Sequence, residues 1–204
     1  MTRVIIVRHG RTEWNRVERF RGRVDIGLDE VGMKQAEVAA KRIREWPISA
    51  IYSSPLRRAM DTAEIIAAPL ELNVQPMSGI IDIDYGSWQG LSTEQVVARD
   101  DSLYSRWIKS PYEVKFPGGE SFTEVRERVA SAIGDLIQQH PKETFVLVSH
   151  KVICQILILN LLGLDSSHFW QITQDVCAMN LFEVRGGIPS VLFLNDTCHL
   201  KVLN

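Results

Sequence analysis

The stretch VIIVRHGRTEWN, Val4 to Asn15, decides how the rest of the chain is read. Val4, Ile5, Ile6 and Val7 form an unbroken apolar run, the mark of a strand buried on both faces inside a sheet. The run passes directly into Arg8, His9 and Gly10. A buried strand emerges from the core at its carboxyl end, which is where open α/β sheets bind their ligands. The alternative reading, a polar strand end followed by an ordinary loop, is set aside only if other strands end the same way.

Other strand-like runs do recur, with helix-like segments between them. Arg3–Val7 is the first strand. Asp29 caps a helix expected to reach Trp46, with Ala36, Ala39, Ala40, Ile43 and Trp46 on one face and Pro47 as its stop. Ala50–Ser53 is a second strand, and Ser54-Pro55 reads as an N-cap with proline at the first helical position, opening a helix to about Ala67. Ser92 and Ser121 each head a capping box, the second opening a helix to about His140. Phe145–Val148 is another buried strand, followed by an apolar helix from about Val152 to Leu162 that stops at Gly163. Ala178–Val184 and Ser190–Leu194 read as an antiparallel pair. The expected fold is therefore a three-layer α/β/α sandwich, a mostly parallel central sheet with an antiparallel edge. One domain over residues 1–204 is expected, since no linker, repeat or low-complexity run interrupts the pattern.

Composition narrows the function classes. The formal net charge is −2 over 204 residues, which leaves no basic footprint for nucleic acid and no polybasic patch for a membrane. The longest apolar stretch, Val152 to Leu164, is broken by Gln155, Asn160 and Gly163 and falls short of a membrane span. The N-terminal run is too short for a signal-peptide core. Cys154, Cys177 and Cys198 lack the spacing of a disulfide framework or a zinc site. A cytoplasmic protein with no metal is the expectation.

Three strand ends carry one chemistry. Arg8 and His9 follow the first strand; Ser53, Ser54, Arg57 and Arg58 follow the second; Ser149, His150 and Lys151 follow Phe145–Val148. Converging guanidinium groups repel unless an anion sits between them, and arginine suits bidentate contact with phosphate oxygens. A neutral imidazole is a competent nucleophile, and a second imidazole, when protonated, stabilises oxyanion charge. Phosphoryl transfer through a phosphohistidine fits this inventory without a metal, because arginines neutralise the oxygens that Mg²⁺ would otherwise serve.

The segments VRHGRTEWN, SSPLRRAMDTA, DIDYGSWQG and VSHK, in that order, resemble the motifs of the histidine phosphatase superfamily, the phosphoglycerate mutase-like proteins. The likeness runs from Val4 to about Leu164, and LNDTCHL near the end is similar to that family's C-terminal part. The resemblance implies that His9 is the phosphorylated nucleophile, that Arg8, Arg58 and His150 hold the phosphoryl group, and that Asn15 contributes an amide. It selects Arg58 over Arg57, which is read as a solvated helix residue. The loop Phe20-Arg21-Gly22-Arg23, with Arg21 and Gly22 as substrate-binding residues, and a polar flap over Pro111–Glu120 ending in PGGES are expected to shape the pocket for the alcohol.

Two departures from the family pattern stand out. Asp82 occupies the place of the usual glutamate proton donor, with Asp84 as a rival two residues away. Lys151 stands where relatives commonly have glycine, and reads equally as added charge for an acidic substrate or as a solvated lysine. His140, His168 and His199 have no motif support. The implied activity is that of a metal-independent phosphomonoesterase with no cofactor, its partner a small phosphorylated metabolite, with neither nucleic acid nor membrane and with a homodimer left open. A cofactor-dependent phosphoglycerate mutase and a phosphate-binding protein without catalysis are the competing readings.

Overall fold

In the computed structural model, which describes residues 1–17 and 19–203, the Val4–Val7 run lies inside a six-stranded sheet. Its strands are β1 (Thr2–Arg8), β2 (Ile48–Ser53), β3 (Val74–Pro76), β4 (Thr144–Ser149), β5 (Met179–Arg185) and β6 (Ile188–Asp196), in the spatial order β3-β2-β4-β1-β5-β6. Strands β3, β2, β4 and β1 are parallel; β5 runs antiparallel to β1, and β6 antiparallel to β5. The mostly parallel sheet with an antiparallel edge matches the sequence reading.

Alternate residues of the central strands face different cores, as the two-residue period of a strand requires. Val4 and Ile6 of β1 join Phe145 and Leu147 of β4 on one side. Ile5 and Val7 join Val146 and Val148 on the other. The first core is covered by α4 (Thr93–Lys109), α5 (Phe122–Gln139) and α6 (Lys151–Leu162), the second by α2 (Glu30–Ile43) and α3 (Arg57–Ala67). A short helix, α1 (Glu13–Arg16), follows β1. Nine of the twelve residues of α6 are buried, which is why its sequence shows no polar face.

The capping signals are confirmed at Asp29, Ser92 and Ser121, whose side chains accept from the N–H groups of Gly32, Gln95 and Glu124. Gly163 ends α6 with a positive φ of 66°. Three expectations are corrected. Helix α2 stops at Ile43, and Trp46 packs against the second core from beyond the helix with the Arg42 guanidinium over its ring. Helix α3 begins at Arg57 with Leu56 in the cap position, not Ser54. The Ser54 hydroxyl is engaged elsewhere, 2.7 Å from Nε2 of His150. Pro111–Glu120 is no flap, because Val114 and Phe116 are fully buried beneath Tyr85, Trp88 and Trp107.

Candidate active site

The loop after β1 is drawn tightly onto the start of α2. A Cβ on Gly10 would stand 2.6 Å from the carbonyl oxygen of Gly32, and one on Gly32 would stand 2.1 Å from that of Arg11. Only a pair of glycines lets the two backbones approach so closely. Thr62 of α3 ties the same loop to the next element: its hydroxyl accepts from the Gly10 N–H at 3.1 Å and donates to the Arg58 carbonyl at 2.8 Å. Parallel pairing of β1 with β4 puts Arg8 beside Ser149, and the His9 N–H donates to the Ser149 carbonyl. His9 and His150 are therefore neighbours, with ring centroids 5.3 Å apart.

The protonation geometry of both imidazoles is legible. Nδ1 of His9 lies 2.7 Å from the Gly10 carbonyl. A carbonyl only accepts, so this nitrogen carries the proton and Nε2 keeps its lone pair. Nδ1 of His150 receives the Arg58 Nε–H at 3.1 Å, which leaves Nε2–H to donate to Ser54. Burial, reinforced by the Arg58 guanidinium, holds both histidines well below the usual imidazole range.

Three guanidiniums surround this pair. Arg8 is held down to about 10 by burial and by the neighbouring charge of Arg21. Its Nη1 donates to the Gln174 carbonyl at 2.6 Å, while its Nε is buried with no acceptor. Arg21 donates to the Trp14 carbonyl and likewise has an orphaned buried Nε. Arg58, fully buried, donates to the Gly22 and Val24 carbonyls, to His150 and to Oδ2 of Asp82 at 3.0 Å. Asp82 is itself buried, and burial raises its carboxyl above the usual range despite the opposing pull of Arg58 and Arg21. Its Oδ2 is 3.6 Å from Nδ1 of His150.

A cavity of about 230 Å³ opens beside Asp82 and Arg21, walled by Tyr85, Trp107, Gln155 and Trp170. The structure thus brings together Arg8, His9, Arg21, Arg58, Asp82 and His150. Asp84 is turned away: its Oδ1 caps the Gly86 N–H at 2.8 Å and its Oδ2 lies 3.7 Å from Arg23. Asn15 directs its carbonyl to the Thr12 N–H and hydroxyl, and borders a different hollow together with Arg8 and Arg11. Gly22, expected to touch substrate, instead supports Arg58 through its carbonyl at 2.7 Å. Its φ of 51° favours glycine, and a Cβ there would displace the Gln89 side chain, whose Oε1 would stand 2.4 Å away. Arg57 is exposed and pairs with Asp61, as read.

Sequence reasoning missed most of the cavity wall. Tyr104 and Trp107 come from α4, Gln155 from α6 and Trp170 from the turn Ser166–Gln171. None of these lies in a motif; only the helical period of α4, which places Tyr104 and Trp107 three residues apart on one face, hints at the pair.

Comparison with known proteins decides the family. The histidine phosphatase superfamily (branch 1) model matches residues 4–197. This chain belongs to that superfamily. Phosphoserine phosphatase 1 of Hydrogenobacter thermophilus is 38% identical over 200 residues, covering 98% of this chain and 95% of that one. YhfR of Bacillus stearothermophilus superimposes with a TM-score of 0.94 at 27% identity, over 98% of this chain and 100% of that one. A phosphoserine phosphatase of Entamoeba histolytica, crystallised with 3-phosphoglyceric acid, superimposes with a TM-score of 0.87 at 32% identity, over 98% and 100%. As a histidine phosphatase the protein is a phosphoric monoester hydrolase. No helix among its described residues is long and apolar enough to cross a membrane.

Proposed function

We propose that this histidine phosphatase cleaves small phosphomonoesters through a phosphohistidine on His9, with phosphoserine as its first substrate. One observation carries the reading: two buried guanidiniums, Arg8 and Arg58, a half-buried third, Arg21, and two neutral imidazoles gather around Asp82, and Arg8 and Arg21 each hold an orphaned buried Nε–H donor. A buried surplus of positive charge with unmatched donors is stabilised by a bound dianion.

Nε2 of His9 attacks phosphorus as the bond to the ester oxygen breaks, and the carboxyl of Asp82 gives its proton to the departing alkoxide. Arg8, Arg58 and His150 hold the equatorial oxygens, whose charge they offset in the transition state. The Asp82 carboxylate then takes a proton from water as that water attacks the phosphohistidine. The P–N bond breaks, phosphate leaves, and both residues return to their starting states. Burial favours the states that the first step needs: it keeps His9 neutral and raises the Asp82 carboxyl above its usual range, against the pull of Arg58. The cavity volume suits an alcohol of a few heavy atoms, and Arg19, Arg21 and Lys151 on its wall suit one bearing a carboxylate. The names of the two phosphoserine phosphatases above support the same choice.

The test is chemical. Brief incubation with substrate followed by quenching is expected to leave an acid-labile, base-stable phosphate on the peptide containing His9. Label found repeatedly on Ser53, Ser54 or a carboxylate, and never on His9, overturns the assignment.

A further inference from the structure

Gln155 carries a polar atom that the fold leaves without a partner. The residue is 1% exposed and borders the cavity beside Asp82. Its amide orientation is set by two main-chain carbonyls: Nε2 lies 2.6 Å from the oxygen of Ile172 and 3.3 Å from that of Phe169. Carbonyls accept only, so the nitrogen must face them and the oxygen must face away. That oxygen, Oε1, is buried and has no hydrogen-bond partner. An unsatisfied buried acceptor is a standing cost, removed when a donor arrives.

A ligand in the adjoining cavity can bring that donor. Gln155 lies on α6, whose first turn carries Val152 to the same cavity and which His150 precedes directly. It also bonds to the segment holding Trp170, so its position is fixed from two sides. Gln155 is thus held in the cavity wall with an unmatched acceptor, opposite in hydrogen-bonding sense to the cations Arg19, Arg21 and Lys151 that share the wall. A ligand complementary to both has an anionic group for the cations and an N–H or O–H for the glutamine.

We infer that Gln155 is a specificity residue that accepts a hydrogen bond from an ammonium or hydroxyl group on the alcohol part of the substrate. The inference rests on the phosphatase reading above and goes beyond it by naming the atom that selects among esters. A substrate lacking the donor leaves Oε1 buried and unpaired in the transition state, and sites of this kind reject such analogues strongly.

Three esters that share a carbon skeleton and a carboxylate isolate the contribution. Phosphoserine carries an ammonium on the middle carbon, 3-phosphoglycerate a hydroxyl, and 3-phosphooxypropionate only hydrogens. For the unaltered protein, kcat/KM is expected to be roughly 10- to 100-fold higher for the better of the first two than for the third, the range of a hydrogen bond involving a charged or buried group. Which of the two is preferred tells an ammonium from a hydroxyl. In Gln155→Met that ratio is expected to collapse to within about threefold of unity, mainly by loss on the donor-bearing ester. Turnover of para-nitrophenyl phosphate, which offers no donor, is expected to fall less.

Equal kcat/KM on all three esters, alongside clear turnover of para-nitrophenyl phosphate, overturns the inference and leaves the phosphatase reading intact. So does a preserved ratio in Gln155→Met. The comparison within the unaltered protein stands even if that variant fails to fold. No turnover of any of the four esters overturns both readings together.

Discussion

Arg58 and Asp82 form an ion pair inside the protein: Nη2 lies 3.0 Å from Oδ2, with side-chain exposures of 0% and 8%. The pair joins the residue proposed to hold the phosphoryl group to the residue proposed to protonate the leaving group. A dianion arriving beside Arg58 competes for the same guanidinium, and weakening the pair favours the protonated carboxyl that the reaction needs.

Asp82→Asn keeps the shape of the side chain and removes its acidic proton. Loss of roughly 10²-fold or more is expected on alkyl phosphates such as phosphoserine, the scale of general acid catalysis, with a clearly smaller loss on para-nitrophenyl phosphate, whose leaving group needs little protonation. Asp84→Asn is expected to show no such dependence on the leaving group, since Asp84 caps Gly86 and faces Arg23. Kinetics on the two ester types check this. Equal losses on both for Asp82→Asn would falsify the acid assignment.

Stability is expected to fall as the medium is acidified below about pH 6.5. Burial holds His9 and His150 well below the ordinary imidazole value of about 6.5, so the unfolded chain binds protons there that the native histidines do not. Each contributes up to about 1.4 kcal/mol per pH unit between 6.5 and its native value. Asp82 has the opposite sign: raised by burial above 3.8, it takes up a proton in the native state first and offsets part of the loss at lower pH. Urea unfolding at pH 7.5 and 5.5 measures the slope, and His150→Gln is expected to flatten it. A stability unchanged over that interval contradicts the assignment of neutral, buried imidazoles.

Turnover is expected to persist in excess EDTA and to gain nothing from added Mg²⁺ or Zn²⁺. Arg8, Arg21 and Arg58 supply the positive charge at the site, and among the described residues no three His, Cys, Asp or Glu side chains converge as a ligand set. Activity lost on chelation and restored by a divalent ion would contradict a mechanism run on guanidinium charge.

Thr62→Val removes the hydroxyl that connects the Gly10 N–H to the Arg58 carbonyl while conserving the side-chain shape. Both groups are buried, so the variant is expected to be about 1–3 kcal/mol less stable in denaturant unfolding, the cost of an orphaned buried donor. A change under about 0.5 kcal/mol would show that the connection contributes little.

Much of the site was legible because its chemistry follows strand ends. Arg8, His9 and His150 leave β1 and β4 at adjacent register positions, and a continuous apolar run is easily recognised. Arg58 follows from the α3 motif. What stayed hidden depends on tertiary geometry. The hydroxyl of Ser54 bonds to a histidine 96 residues away rather than capping α3, a competition that local capping rules do not register. The segment Pro111–Glu120 reads as a polar flap, yet Val114 and Phe116 are buried within it, Phe116 against the rings of Tyr85 and Trp107. Helix α2 falls short of Trp46 because the residues after Ile43 turn before Pro47, although Trp46 remains in register with the buried face. Gln155 reads as a polar interruption of an apolar helix, and only its two carbonyl partners show which of its atoms is left over.

The hydrogen bond from Nδ1 of His9 to the Gly10 carbonyl has an evolutionary consequence. Every peptide unit carries that carbonyl, so the tautomer of the proposed nucleophile is inherited with the path of the main chain and no side-chain replacement can withdraw the acceptor. The cavity wall is built the other way, from side chains on α4, α6 and the turn Ser166–Gln171, each replaceable singly. A duplicated copy of such a gene can drift toward a new alcohol by exchanging wall residues while its phosphoryl chemistry remains in place from the first generation.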